Sequence, residues 1–281
     1  MPLPEPLRNG SSLKKQNGHR TMVNGTRSLF DDRFVRTGVV LAAGFGSRLA
    51  GTSDSTDLKP LTPVAGKPLI IRSLESLEQA GCSRAVVVLG YCSDIHRAAI
   101  NALYHGPLAL HFAVNERFDL SNGVSLLAAA PYLNGDFVLM MADHAVGGEV
   151  MDLVRNHEPP ADGATLLVDY KLDTIFDMDD ATKVYADAGR VKAIGKELVG
   201  YNCIDTGVFV CTFGLMDALH TVYRERGDVS LTEGIQHLAR RQRMHSLDIG
   251  DGFWQDIDTP DMLAHADRAL CVSEALLSEV A

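Results

Sequence analysis

The sequence predicts an α/β fold: a mixed, mostly parallel sheet flanked by helices, with a small polar lobe on one side. Three observations carry this. Apolar runs of strand length recur along the chain, amphipathic stretches of helical period separate them, and the first apolar run opens into a glycine loop. The run Val39-Val40-Leu41-Ala42-Ala43 has no polar alternation, so the strand expected from Gly38 to Ala42 is covered on both faces, as in parallel sheets. A helix follows from Pro68, a residue suited to a helix start, with Leu69, Ile70, Leu74, Leu77 and Ala80 on one face and Gly81 as its stop. Strands are expected at Ala85 to Leu89, Leu108 to Val114, Phe137 to Met141, Ala164 to Val168 and Val208 to Thr212. Helices are expected to begin near Ser93-Asp94 and near Ser121-Asn122, and a last one runs from Pro260 to about Glu279. The stretch from Tyr170 to Asp205 is more polar. It holds a hairpin turn, Asp187-Ala188-Gly189, between Lys183-Val184-Tyr185 and Val191-Lys192-Ala193-Ile194, and forms the small lobe.

Residues 1–36 carry seven basic and three acidic residues among Asn, Gly and Ser. Such a segment buries too little apolar area to offset its ordering entropy, so a disordered tail is expected there and one domain over 37–281. The chain of 281 residues is 46% hydrophobic, enough for a full core. Its formal charge of -10 disfavours nucleic acid, whose binding is dominated by cationic contacts to phosphate. No apolar stretch reaches the roughly 18 to 20 residues of a membrane span and no secretory signal is evident, so a cytoplasmic protein without membrane insertion is expected. Five scattered cysteines without a C-x-x-C pair argue against a disulfide framework and against a zinc knuckle. A homo-oligomer stays open.

The glycine loop carries the chemistry. Gly44 and Gly46 let the backbone turn sharply and approach an anion, and Arg48 and Lys59 supply charge for phosphates. Leu49 stands where a dinucleotide fingerprint needs its third glycine, and the P-loop pattern is absent from the loop.

The segment Leu41-Ala42-Ala43-Gly44-Phe45-Gly46-Ser47-Arg48-Leu49 with Lys59-Pro60 resembles the signature of the nucleoside-triphosphate transferases. Within that family the chain is most similar to the cytidylyltransferases that act on CTP and inositol 1-phosphate. The likeness includes Ser121-Asn122-Gly123-Val124-Ser125-Leu126, Met141-Ala142-Asp143-His144, Ala181-Thr182-Lys183-Val184, Ile194-Gly195-Lys196-Glu197-Leu198, Cys203-Ile204-Asp205-Thr206-Gly207 and Trp254-Gln255-Asp256-Ile257-Asp258-Thr259. The resemblance implies a Rossmann-like sheet of the nucleotide-diphospho-sugar transferase type. It also implies direct transfer from CTP to a phosphorylated small alcohol, with Mg²⁺ as cofactor. Choline phosphate, an aminoalkyl phosphonate or a sugar 1-phosphate would use the same triphosphate half-site, and a catalytically silent nucleotide-binding regulator is the rival of another class.

Site residues follow. Asp143 comes directly after an expected strand, at the end of the sheet where open α/β folds bind ligands. With Asp256 or Asp258 it would offer the few carboxylates that Mg²⁺ uses beside water and phosphate oxygens; the alternative for one of that pair is a cap on the next helix. Arg48, Lys59 and Asp143 are the expected catalytic group. The nucleotide is expected at Leu41, Ala42, Ala43, Gly44, Gly46 and Ser47, and at Ser121, Asn122 and Ser125, where a helix cap is the compatible alternative. For the acceptor, Lys183 and Lys196 are ammonium candidates for its phosphate. Asp205 and Thr206 are candidates for its hydroxyls, with a local Asx turn as alternative. His144 touches either metal-bound water and acceptor or the groups behind them. A phosphate monoester has its second pKa near 6, so the acceptor is largely a dianion at neutral pH and needs no general base.

Overall fold

The structure, a computed structural model, describes residues 36–45 and 58–280. The expected tail lies outside these residues except for Arg36, which is corrected into the domain. Its backbone opens β1 (Arg36–Ala42), and its guanidinium donates to the carbonyls of Val154 (2.8 Å) and His157.

The chain continues through a short ribbon, β2 (Pro63–Val64) and β3 (Lys67–Pro68), into α1 (Leu69–Gln79). Then come β4 (Cys82–Leu89), α2 (Ser93–Leu103), β5 (Ala109–Val114) and α3 (Asn122–Ala128). Next are β6 (Phe137–Met141), β7 (His144–Val146), α4 (Gly148–Asn156) and β8 (Ala164–Asp169). The second half holds β9 (Lys183–Asp187), β10 (Arg190–Gly195), β11 (Cys203–Cys211), α5 (Phe213–Arg226) and α6 (Leu231–Arg240). It ends with β12 (Met244–Asp248), β13 (Trp254–Asp256) and α7 (Pro260–Val280).

The main sheet has the order β5-β4-β1-β6-β11-β8-β12-β10-β9. Strands β5, β4, β1 and β6 are mutually parallel, β8 and β12 are parallel to each other, and β11 and β10 run against their neighbours. The mixed, mostly parallel sheet of the sequence reading is therefore observed, and the small lobe is the β9–β10 hairpin added to the sheet end. Alternate residues of β1 feed two cores. Val39 and Leu41 pack with α3, α5 and α6, while Val40 and Ala42 pack with α1, α2 and α4. At roughly 1.5 to 3 kcal/mol for each large apolar side chain fully buried, these two faces outweigh any single loop contact in fixing the scaffold. Gly38 lets α1 approach, since a Cβ there would stand 2.3 Å from Cδ1 of Leu77.

Several boundaries are corrected: β4 begins at Cys82, three residues before the expected Ala85, and the largest change is in β11. The strand expected from Val208 begins at Cys203, because its first residues pair with β9. Thr212, expected at the end of that strand, caps α5 by accepting from the Gly214 N–H. The register of β11 against β8 slips between Asp205 and Phe209, and Gly207 there has φ +74°. This bulge re-aims side chains at the sheet end, as bulges do. Among the described residues no helix is long and apolar enough to cross a membrane.

Candidate active site

A cleft of about 530 Å³ opens where β1 and β6 end and the antiparallel β11 begins. A two-stranded ribbon builds its floor: β7 pairs antiparallel with β13, placing Asp256 opposite His144, and the Ile257 N–H donates to the Asp143 carbonyl at 2.9 Å. Carboxylates more than a hundred residues apart in sequence are thereby fixed side by side. Lys59 lies between them, only 7% exposed, with Nζ 2.8 Å from Oδ2 of Asp143 and 2.5 Å from Oδ1 of Asp258.

The electrostatics follow from this crowding. Burial disfavours the Lys59 ammonium, but Asp143 and Asp258 outweigh it and raise its pKa. Burial likewise opposes the charge of Asp143, yet His144 and Lys59 hold its carboxyl below the usual range. Burial pushes Asp256 up; His144 and Lys59 oppose the shift, and Asp258 and Asp143 add to it. Burial also carries Asp205 up to about 6, against the Gly207 N–H and His144. One carboxylate oxygen from each of Asp180, Asp256 and Asp258 lies within 4.8 Å of the others. That all-oxygen donor set suits a hard divalent cation.

Of the expected nucleotide residues, Leu41, Ala42, Gly44 and Asn122 line the cleft. Ala43 is buried behind it and accepts from the Tyr91 N–H. Ser121 donates through N–H and Oγ to Asp228, and Ser125 accepts from Asn115, so both tie α3 to its surroundings and neither lines the cleft. Gly46, Ser47 and Arg48 lie outside the described residues. Among acceptor candidates, His144, Lys196 and Asp205 line the cleft. Lys196 rests on Asp180 at 2.5 Å. Lys183 points elsewhere and donates to the Asp179 carbonyl. Thr206 is fully buried and donates to the Leu167 carbonyl. Asp205 accepts from the Gly207 N–H at 2.7 Å, the local turn weighed as its alternative. Asp143, Asp256 and Asp258 all line the cleft. At the start of α7 the Thr259 Oγ1 accepts from the Met262 N–H.

The sequence reading missed Asp180 as a neighbour of the carboxylates, and Phe45, Thr182 and Thr232 as lining residues. The sequence reading also did not name α6, whose start Ser230 and Glu233 mark with a reciprocal capping box, a pattern readable as S-x-x-E. Gly207 was legible only as part of a motif. A Cβ there would lie 2.1 Å from Nδ1 of His144, and a left-handed backbone costs a side chain roughly 1 to 2 kcal/mol. Gly207→Ala is expected to lower the melting temperature by about 2 to 8 °C and kcat by about tenfold or more through displacement of His144. A melt and turnover equal to the parent's would show that the site tolerates the shift.

Residues 38–171 match a family described as the MobA-like NTP transferase domain. The chain belongs to the nucleotidyltransferases. This nucleotidyltransferase is 30% identical over 236 residues to a bifunctional IPC transferase and DIPP synthase of Aquifex aeolicus, covering 84% of this chain and 52% of that protein. It thus spans about half the length of that bifunctional relative. It is 29% identical to a UTP–glucose-1-phosphate uridylyltransferase of Haloferax volcanii, covering 83% of this chain and 95% of the relative. Among solved structures, the inositol-1-phosphate CTP transferase from T. maritima superposes with a TM-score of 0.71 at 26% identity, over 83% of this chain and 96% of that one.

Proposed function

We propose that this nucleotidyltransferase transfers the cytidylyl group of CTP to inositol 1-phosphate, giving CDP-inositol and pyrophosphate. One observation carries the reading. A single cleft holds the end of β1 and the start of the glycine loop at Leu41, Gly44 and Phe45, the Lys59–aspartate cluster, and Lys196 with Asp205. Triphosphate, reacting centre and acceptor therefore each have matching groups within one enclosure. The likeness to the T. maritima enzyme favours this pair of substrates.

Enzymes of this family generally use a divalent metal. The carboxylates of Asp143, Asp256 and Asp258, with Asp180 beside them, fit Mg²⁺ by donor chemistry. When bound, the cation would offset charge on phosphate oxygens. The chain's own groups do the rest. The backbone from Leu41 to Gly44 meets the nucleotide, and Lys59 presents its ammonium to the phosphates. Lys196 exchanges Asp180 for the acceptor phosphate. That phosphate, largely a dianion, attacks the α-phosphorus in line and pyrophosphate leaves, so positioning and electrostatics supply the catalysis. Cytoplasmic operation goes with this reading.

The uridylyltransferase likeness makes UTP with glucose 1-phosphate the rival pair. A matrix of the common nucleoside triphosphates against phosphorylated alcohols, scored by pyrophosphate release, separates them. CTP with inositol 1-phosphate is expected to give the highest kcat/KM, and a higher value for any other pair overturns the assignment. Absence of release from every pair would instead favour the silent regulator. In the same assay Lys196→Ala is expected to raise the KM for inositol 1-phosphate about tenfold or more, the scale of a charged hydrogen bond worth roughly 1.5 to 3 kcal/mol. The KM for CTP should stay near the parent's. An unchanged acceptor KM would remove Lys196 from the acceptor site.

A further inference from the structure

A second cavity, of about 260 Å³, shares Ala181, Trp254 and Asp256 with the active cleft as a common wall. Its lining is aromatic and acidic. His265 stands with its ring centroid 5.7 Å from that of Phe176 and 6.3 Å from that of Phe253, and Phe176 is 48% exposed. Four carboxylates line the cavity, those of Asp169, Asp177, Asp251 and Asp256, against the one ammonium of Lys171. That ammonium is engaged by Asp169 at 2.9 Å and by the carbonyls of Gly250 and Gly252. Asp169 also accepts from Trp254 Nε1. Among the described residues, neither Asp177 nor Asp251 has an ion-pair partner. Nδ1 of His265 is buried and finds no hydrogen-bond partner.

We propose that this second cavity is a binding site for a small organic cation, an alkylammonium compound. Ring faces carry negative charge density and attract an ammonium held against them, most strongly where water is excluded. Phe176, Phe253 and His265 supply rings for the head group, and Asp177 and Asp251 answer its charge. An inorganic cation would gain the carboxylates and waste the rings, and a neutral apolar ligand would leave the carboxylates uncompensated. The site stands apart from the cytidylyl reading, because none of the three rings and neither Asp177, whose Oδ1 accepts from the Asp180 N–H, nor Asp251 lines the active cleft.

The only tryptophan of the chain, Trp254, lines this cavity and supplies the measurement. Choline is titrated into the full chain without substrates at constant ionic strength, with its uncharged isostere 3,3-dimethylbutan-1-ol in parallel. Choline is expected to change Trp254 emission saturably, with half-saturation at about 10 mM or below, and the alcohol to give no saturable change. Phe176→Ala and Asp177→Asn are each expected to weaken choline about threefold to tenfold, with kcat and the KM for CTP unchanged. Equal responses to choline and the alcohol, no saturation by about 50 mM choline, or unchanged affinity in both variants would overturn the proposal. Competitive displacement of choline by CTP or inositol 1-phosphate would also overturn it, because binding would then lie in the active cleft.

Discussion

Asp143→Asn is expected to abolish nucleotidyl transfer, lowering kcat by about a thousandfold or more while the fold survives. The carboxylate stands at the end of β6, takes the Lys59 ammonium at 2.8 Å and faces the Asp256–Asp258 segment. Its loss removes one anionic donor from the carboxylate cluster and loosens the placement of Lys59, two electrostatic effects each of the size seen on removing one preorganised charge stabiliser, roughly 3 to 4 kcal/mol. The amide keeps shape and one acceptor oxygen, and Lys59 retains Asp258, so a circular dichroism spectrum and a cooperative melt like the parent's are expected. The melt carries a signature of its own. Because the Asp143 pKa is depressed in the fold, its contribution to stability is present above the ordinary carboxylate pKa and is lost as pH falls through the folded value. The parent should therefore lose more stability than the variant on acidification below about pH 4. A variant that turns over within a few-fold of the parent would sink the catalytic role.

Lys59→Ala should have the second largest effect, on stability as well as on rate. In the fold this ammonium is the buried cation among Asp143, Asp256 and Asp258, and its removal leaves carboxylates crowded without it. Breaking a buried pair costs roughly 3 to 5 kcal/mol, to be discounted here because Asp143 is partly open to solvent. A divalent cation binding the same carboxylates would replace part of the lost charge, so Mg²⁺ should raise the melting temperature of Lys59→Ala more than that of the parent. Turnover should stay low even at saturating Mg²⁺, since a metal among the carboxylates does not present an ammonium to the phosphates. If the variant melts as the parent does and ignores Mg²⁺, the lysine is not the counter-charge of this cluster.

The sequence by itself determined the scaffold. Uninterrupted apolar runs such as Val39 to Ala43 and Phe137 to Met141 specify strands buried on both faces, because two cores need an apolar residue at every position. Pro68 and Gly81 bound α1 for backbone reasons local to those residues. Asp187-Ala188-Gly189 sets the β9–β10 hairpin in the same way, with Ala188 and Gly189 both at positive φ. The signature from Leu41 to Lys59 and the motif from Trp254 to Thr259 also named Leu41, Ala42, Gly44, Lys59, Asp256 and Asp258, which line the cleft. Tertiary structure alone decided how they meet. The β7–β13 ribbon is three residues on each side, too short to show a period, yet its register sets Asp256 against His144. The slip in β11 and the positive φ of Gly207 turn Asp205 toward the cleft and bury Thr206, although the two adjoin in one motif. Lys183 and Lys196 look alike as motif lysines, but Lys183 opens β9 while Lys196 lies in the turn just after β10, its antiparallel partner at the sheet end, and Lys196 alone of the pair lines the cleft. Asp180, in an irregular loop with no local signal, joins Asp256 and Asp258 only because the sheet brings that loop over the ribbon. Local periodicity encodes which elements form, whereas the distances that make a charge cluster depend on long-range pairing that no window of sequence contains.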